Sequence, residues 1–473
     1  MARFSWGIPF ASRFNATDDR AAGSGSTPGE PAGEVRAEPE TASAVSRREG
    51  AGQDAVGSRV RQPGKSPINW RTNLYAIWLA QLLSIVAFSL RAPFLPFFLG
   101  DLGVETVEEQ ALWSGLINSA GAGTMAITAP IWGIMADRFG RKPMLLRAQG
   151  VSFFTLGLMM FATSPWQLLG LRMVEGMFAG TVTAATALVA TTTPKERMGF
   201  GLGLIQTAVF SGSALGPLVG GFLADQAGYR ATFGIAAGMM ASSALVSFFL
   251  VRENFRPVPK ADRPKSSARS NWKLLVAPVL LGLTFTVIAV RFASAAVQPI
   301  MPLFVEQLAG HLTGSSSSLA GVTLGVLGVT SAISAVFLGR LGDRTGHRTI
   351  LLGCLMGSGL IYLPMAIAQH PWHLIALQAA FGVFAGGTIP AANALITNFV
   401  EPARRGMIFG LMASAASVGG FIGPLAGAGM AASIGFRATF VACGAIMLLA
   451  VFVLIWTEKK QTAGRDEEVA AVA

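Results

Sequence analysis

Residues 74–99 carry one charged side chain, Arg91, and residues 406–430 carry none. A helix rises about 1.5 Å per residue and the hydrocarbon of a bilayer is about 30 Å thick, so runs of this length fit membrane-crossing helices. Twelve can be placed, at roughly 74–99, 111–135, 143–163, 166–191, 199–224 and 229–251, then at 274–305, 318–339, 349–368, 372–397, 406–430 and 435–456. The sequence therefore predicts an all-α integral membrane protein with twelve transmembrane helices.

The runs form two sets. A charged turn from Gly133 through Asp137, Arg138, Gly140 and Arg141 to Pro143 returns as Gly339 through Asp343 and Arg344 to Thr349, with Gly133, the Asp-Arg pair and Gly140 each displaced by 206 positions. Pro93 and Pro96 answer to Pro299 and Pro302 at the same shift, and Gly212-xxx-Gly216-Pro217-xx-Gly220-Gly221 answers to Gly419-xxx-Gly423-Pro424-xx-Gly427-Ala428 at 207. This is an internal duplication. It predicts two pseudo-symmetric six-helix bundles, at 70–252 and 273–457.

Charged residues make up 13% of the chain against about 25% in soluble domains. The net charge of +11 does not point to nucleic acid, because its position decides its meaning. Lys and Arg gather in the Asp137 to Lys142 turn, at Lys195 and Arg197, in a linker at 253–272, between Arg340 and Arg348, at Arg404 and Arg405, and in a C-terminal tail at 458–473. All of these fall on one side of the apolar runs, and the opposite loops hold only Arg230 and Arg437 as basic residues. Basic residues resist transfer, so both termini are expected in the cytoplasm. Residues 1–69, with nine basic and eight acidic side chains, are too polar to bury a core and are expected to be a disordered tail. Cys354 and Cys443 each lie inside an apolar run and suggest no disulfide framework.

Twelve spans in two repeats, with Gly-x-x-x-Asp-Arg-x-Gly-Arg-Lys between the second and third, resemble the major facilitator superfamily over residues 69 to 457. The Gly-Pro-x-x-Gly-Gly sequence of span five looks like the signature of its drug:proton antiporters, and the Trp113-Ser114-Gly115 entry to span two is similar to bacterial multidrug efflux members. The resemblance implies the major facilitator fold, alternating access, a plasma (inner) membrane location, a small-molecule substrate and exchange against protons. It makes Gly133, Asp137, Arg138, Gly140, Arg141, Asp343 and Arg344 a conformational latch, and Gly212, Gly216, Pro217, Gly220 and Gly221 a seal and hinge. Read without the resemblance, the first group is a topogenic turn and the second is small-residue packing.

Glu175 is the sharpest single residue, the one carboxylate well inside any of the twelve runs. It lies about 13 Å past Trp166, close to mid-membrane. Arg172, Glu175, Gly176 and Ala179 share one helix face, and Arg172-x-x-x-Gly176 resembles the span-four pattern of proton-coupled family members, with Glu where Gln is more frequent. Glu175 with Arg172 is thus the candidate proton-coupling pair; the competing reading is a static ion pair. Arg91 in span one and Arg291 in span seven occupy equivalent runs that line the cavity in the family, and with Phe88 and Phe292 they are candidate substrate-binding residues. They also support an alternative, an organic-anion or organophosphate exchanger. No phosphate-binding Gly-x-x-x-x-Gly-Lys-Ser/Thr occurs and the four histidines form no ligand cluster, so no enzyme, cofactor or metal site is expected. The expectation is a monomeric proton-coupled drug exporter in contact with the lipid bilayer.

Overall fold

The computed structural model describes residues 69–255, 278–310, 316–400 and 405–472. The expected N-terminal tail up to residue 68, most of the linker and Arg404 lie outside them. No strand occurs among the described residues, which form fifteen α-helices: α1 Trp70–Ser89, α2 Leu95–Asp101, α3 Val107–Phe139, α4 Arg141–Met159, α5 Pro165–Met177, α6 Thr181–Thr192, α7 Met198–Ala227, α8 Tyr229–Phe249, α9 Pro278–Val297, α10 Met301–Ala309, α11 Ser316–Thr345, α12 His347–Ala366, α13 Pro371–Phe399, α14 Arg405–Ile434 and α15 Phe436–Val472.

Local sequence accounts for the ends. Asn69 Oδ1 accepts from the backbone N–H groups of Arg71 and Thr72 and starts α1, and Thr106 Oγ1 accepts from Glu109 N to start α3. Gly140, Gly228, Gly346 and Gly435 separate successive helices at φ between 83° and 96°, where a side chain would be strained. Runs one and seven each fold as two helices, because Pro93 and Pro299 stand in the joints between α1 and α2 and between α9 and α10.

Ten spans among the described residues, six of them joining or trimming helices, are long and apolar enough to cross a membrane. The expected second and third runs are helical as α3 and α4 but are not among the ten, since α3 is diluted by Gly, Ser, Thr and acidic ends and α4 carries Arg141, Lys142, Arg147 and Gln149. Run four is split into α5 and α6, and α15 continues to Val472, beyond the expected end of the last run.

Helix pairing repeats with the sequence. Helix α1 packs on α7 and α8, and α3 on α5; in the second repeat α9 packs on α14 and α15, and α11 on α13. Between repeats α3 meets α14 and α7 meets α11. These two contacts are copies: Gly115 packs on the Pro424 carbonyl, and Gly321 packs on the Pro217 carbonyl. One turn on, Ser119 Oγ accepts from Leu425 N at 3.0 Å, and its counterpart Gly325 abuts Leu218. Ser318 N donates to Asp225 Oδ2 at 2.8 Å across the second contact.

The named contacts between repeats lie toward the end that carries Asp225 and Ser318, where one hydrophobic core cluster joins Phe97 and Phe98 to Ile300 and Leu303. Toward the basic turns the same helices present exposed apolar faces, with Ile127 at 75% and Ile134 at 66% on α3 and Phe337 at 66% on α11.

Candidate functional site

Glu175 stands near the end of α5 with 1% of its surface exposed. Its two oxygens are held separately. Arg172 Nη1 donates to Oε2 at 2.6 Å from one turn back, and Arg91 Nη1 donates to Oε1 at 3.2 Å from the bend after α1. Gly121 of α3 makes room, since a Cβ there would stand 2.9 Å from Arg172 Nε, and Gly176 rests on the Gly121 carbonyl. Two guanidiniums around one carboxylate leave a net positive cluster when the carboxylate is ionised. Arg91, expected on a substrate, is committed to Glu175 and lies 5.9 Å from the centre of the Phe88 ring.

Immediately after Glu175 the span breaks. Gly180 takes φ +128°, and the carbonyls left over at the end of α5 are met by side chains of α3 and α4. Trp132 Nε1 and Thr128 Oγ1 donate to the Met177 carbonyl at 2.7 and 2.8 Å. Arg147 Nη2 donates to the carbonyls of Phe178 and Ala179, each at 3.1 Å, and its guanidinium lies 3.5 Å from the centre of the Trp132 ring. Sequence reasoning passed over Arg147 as a basic residue shortly after the charged turn; the signal that was available is a further guanidinium inside an apolar run, beside Arg91, Arg172 and Arg291.

At the charged turn the carboxylate that meets a helix start is Glu253, just after α8. Its oxygens accept from Arg141 N at 2.9 Å and from Lys142 N at 2.8 Å. Asp137 and Arg138 are exposed, and among the described residues no ion pair involves either. Gly140 is required there twice, by its φ of 96° and because a Cβ would stand 2.9 Å from Glu253 Oε2. Burial, then the neighbouring Arg252, hold the Lys142 ammonium below its usual range, with Glu253 acting the other way. In the second turn Asp343 Oδ1 lies 3.4 Å from His347 Nε2.

The span-five glycines mostly serve their own repeat. A Cβ on Gly212 would meet Ile85 at 2.7 Å, Gly216 abuts Ser89, and Gly220 abuts the Leu90 carbonyl, all on or just after α1; Gly221 alone of the four faces the other repeat, against the Ser317 carbonyl. A separate cavity of about 260 Å³ opens between α9, α13 and α14. Thr286, Arg291, Thr388 and Asn393 give it polar groups, and Val290, Phe409 and Met412 are among its apolar walls. Arg291 is exposed to it, and among the described residues no ion pair involves Arg291. The lining includes neither Arg91 nor Glu175, so the expected pair of clamping arginines is not brought together there. Phe292 packs instead against the core of the second repeat.

A duplicated set of apolar helices, with ions buried where a helix breaks and a polar-dotted cavity between others, defines a polytopic membrane transporter. The chain belongs to the major facilitator superfamily, whose family model matches it at residues 77–313 and 283–471. It is 38% identical over 408 residues to the multidrug resistance protein MdtG of Serratia proteamaculans, covering 86% of this chain and 98% of that protein. To MdtG of Salmonella arizonae it is 39% identical over 396 residues, covering 82% and 96%. Among solved structures it resembles a bacterial homologue of the human lysosomal transporter Spinster, in an inward-facing and occupied conformation, with a TM-score of 0.69 at 15% identity over 84% of this chain and 98% of that one.

Proposed function

We propose that the protein is a proton-coupled secondary transporter that exports hydrophobic or amphipathic drug-like molecules, a reading supported by its relatives' being multidrug resistance proteins. Twelve spans in two bundles of six, with the basic turns and both termini on the cytoplasmic side of the inner membrane, complete the reading. Rocking of the bundles about their shared interface opens the space between them to one side and then the other. With named inter-repeat contacts at the far end and exposed apolar faces near the basic turns, the structure fits a state open toward the cytoplasm.

The observation that carries the coupling is the Arg91–Glu175–Arg172 cluster. Arg172 shares the helix of Glu175, whereas Arg91 arrives from another. Movement of α1 relative to α5 therefore breaks one of the two ion pairs and leaves the other. The buried carboxylate then loses part of what keeps it ionised and accepts a proton; return of Arg91 expels it. Asp137 acts as a latch in this reading by meeting a helix start in the opposite state, with Glu253 holding α4 in this one.

Purified protein in liposomes under an imposed pH gradient tests this directly. Glu175→Gln is expected to abolish pH-driven transport while insertion into the membrane persists. Full retained coupling sinks the scheme.

Arg291 supports a second reading, export of organic anions or phosphonates through its guanidinium in the cavity. Competition by phosphonates that disappears in Arg291→Ala favours it. Competition by lipophilic cations alone favours the first.

A further inference from the structure

Run four is one stretch of sequence folded as two helices, yet its copy in the second repeat, α13, is continuous from Pro371 to Phe399. The duplication supplies the comparison. Arg147, Trp132 and Gly180 correspond to Gly353, Leu338 and Gly386, each 206 positions on. Where the second repeat lacks the guanidinium and the indole, Gly386 abuts the Ser331 carbonyl and Gly387 abuts Leu338. Carbonyls freed at a helix end within a membrane need donors from the protein, because no bulk water is there to supply them. The first repeat provides those donors for Met177, Phe178 and Ala179, and that is the repeat in which the helix is broken.

We propose that Arg147, braced on Trp132, is a positioning residue for proton coupling: it holds the bend in span four and thereby sets Glu175 within reach of Arg91. The bend lets the two pieces of the span follow different neighbours. Helix α5 packs chiefly on α3, and α6 packs on α4 and α1. Arg147 does not act as a counter-ion, since its guanidinium faces carbonyls, the Trp132 ring and Met144 Sδ. The charged groups that face Glu175 are Arg91 from the bend after α1 and Arg172 from its own helix, while α3 presents Gly121 and Thr124 beside Gly176. A change in the bend therefore moves Glu175 relative to Arg91 while Arg172 moves with it.

This inference rests on the reading of Glu175 as the proton-exchanging group, so its test has two arms. Arg147→Lys keeps the charge and loses the planar fork that reaches two carbonyls. In proteoliposomes it is expected to lower kcat about tenfold or more with KM nearly unchanged, and to shift the pH midpoint of transport. Separately, spin labels on Gly170→Cys and Thr191→Cys, both exposed positions flanking the bend, report the distance between α5 and α6; Cys354 and Cys443 are buried. That distance is expected to shift in Arg147→Lys. Trp132→Phe, which retains the ring and removes the donor to Met177, should give a smaller change of the same sign and carries the test if Arg147→Lys does not fold. An unchanged distance overturns the clamp. A pH midpoint identical to the parent, with activity and thermal stability falling together, overturns the link to Glu175. Should Glu175→Gln itself retain pH-driven transport, the coupling reading fails by that result alone, and the label distance still decides whether Arg147 holds the bend.

Discussion

Removal of Glu175 leaves the buried Arg91 and the half-buried Arg172 with no counter-ion, whereas removal of both partners of a pair can be nearly neutral. Glu175→Leu is therefore expected to cost about 3–5 kcal/mol of stability in detergent, and the double variant Arg91→Leu/Glu175→Leu to recover part of it. A double variant no more stable than Glu175→Leu argues that the pair is not coupled. Glu253→Ala removes the acceptor at the start of α4 and should cost about 1–2 kcal/mol, read as a lower thermal midpoint. Lys142, depressed in the folded protein, binds fewer protons there than when unfolded, between its lowered folded value and the ordinary lysine value of 10.5. Its contribution to stability thus rises as pH climbs through that alkaline window, and Lys142→Gln should remove this rise relative to the parent.

Among the elements, α7 separates glycine as a packing device from glycine as a bystander. A Cβ on Gly220 would fall on the Leu90 carbonyl, too close to be accommodated without parting α7 from α1, while one on Gly203 would meet nothing within 4 Å. Gly220→Ala is expected to destabilise by about 1–3 kcal/mol. Gly203→Ala should be neutral or stabilising by a few tenths to about 1 kcal/mol, because alanine is the better helix former. Equal midpoints for the two variants in a melting experiment would count against close packing as the reason for this pattern. The spacing at i, i+4 and i+8 made the cleared face legible in the sequence; that it serves α1 more than the other repeat was not, because a small-residue stripe does not name its partner.

For the whole molecule, the named contacts between repeats lie at one end, and the Ser318 to Asp225 hydrogen bond stands among them. Asp225→Cys/Ser318→Cys is expected to form a disulfide that holds this end shut and stops transport, with activity restored by reductant. Transport that continues through the cross-link would show that this interface does not open during turnover. The single cysteine variants should transport, which separates the tether from loss of the hydrogen bond itself.

The apolar runs, the 206-residue repeat and the paired prolines were sufficient to establish a duplicated helical membrane chain, because membrane length and helix breaking are local properties. Glu175 stood out in the same way, as a charge where hydrocarbon is expected. What tertiary structure decided was partnership. Gly140 offers no side chain to cap α4, so an acceptor had to come from elsewhere, and only the fold brings Glu253 across more than a hundred residues to fill that place. Arg91 and Arg291 lie in equivalent runs but at different positions, Val297 being the counterpart of Arg91; one is bound to a carboxylate and the other faces a cavity, and Glu175 has no acidic counterpart at the corresponding Phe381. Charge interactions depend on distance in space, and a run of sequence fixes that distance only along its own helix.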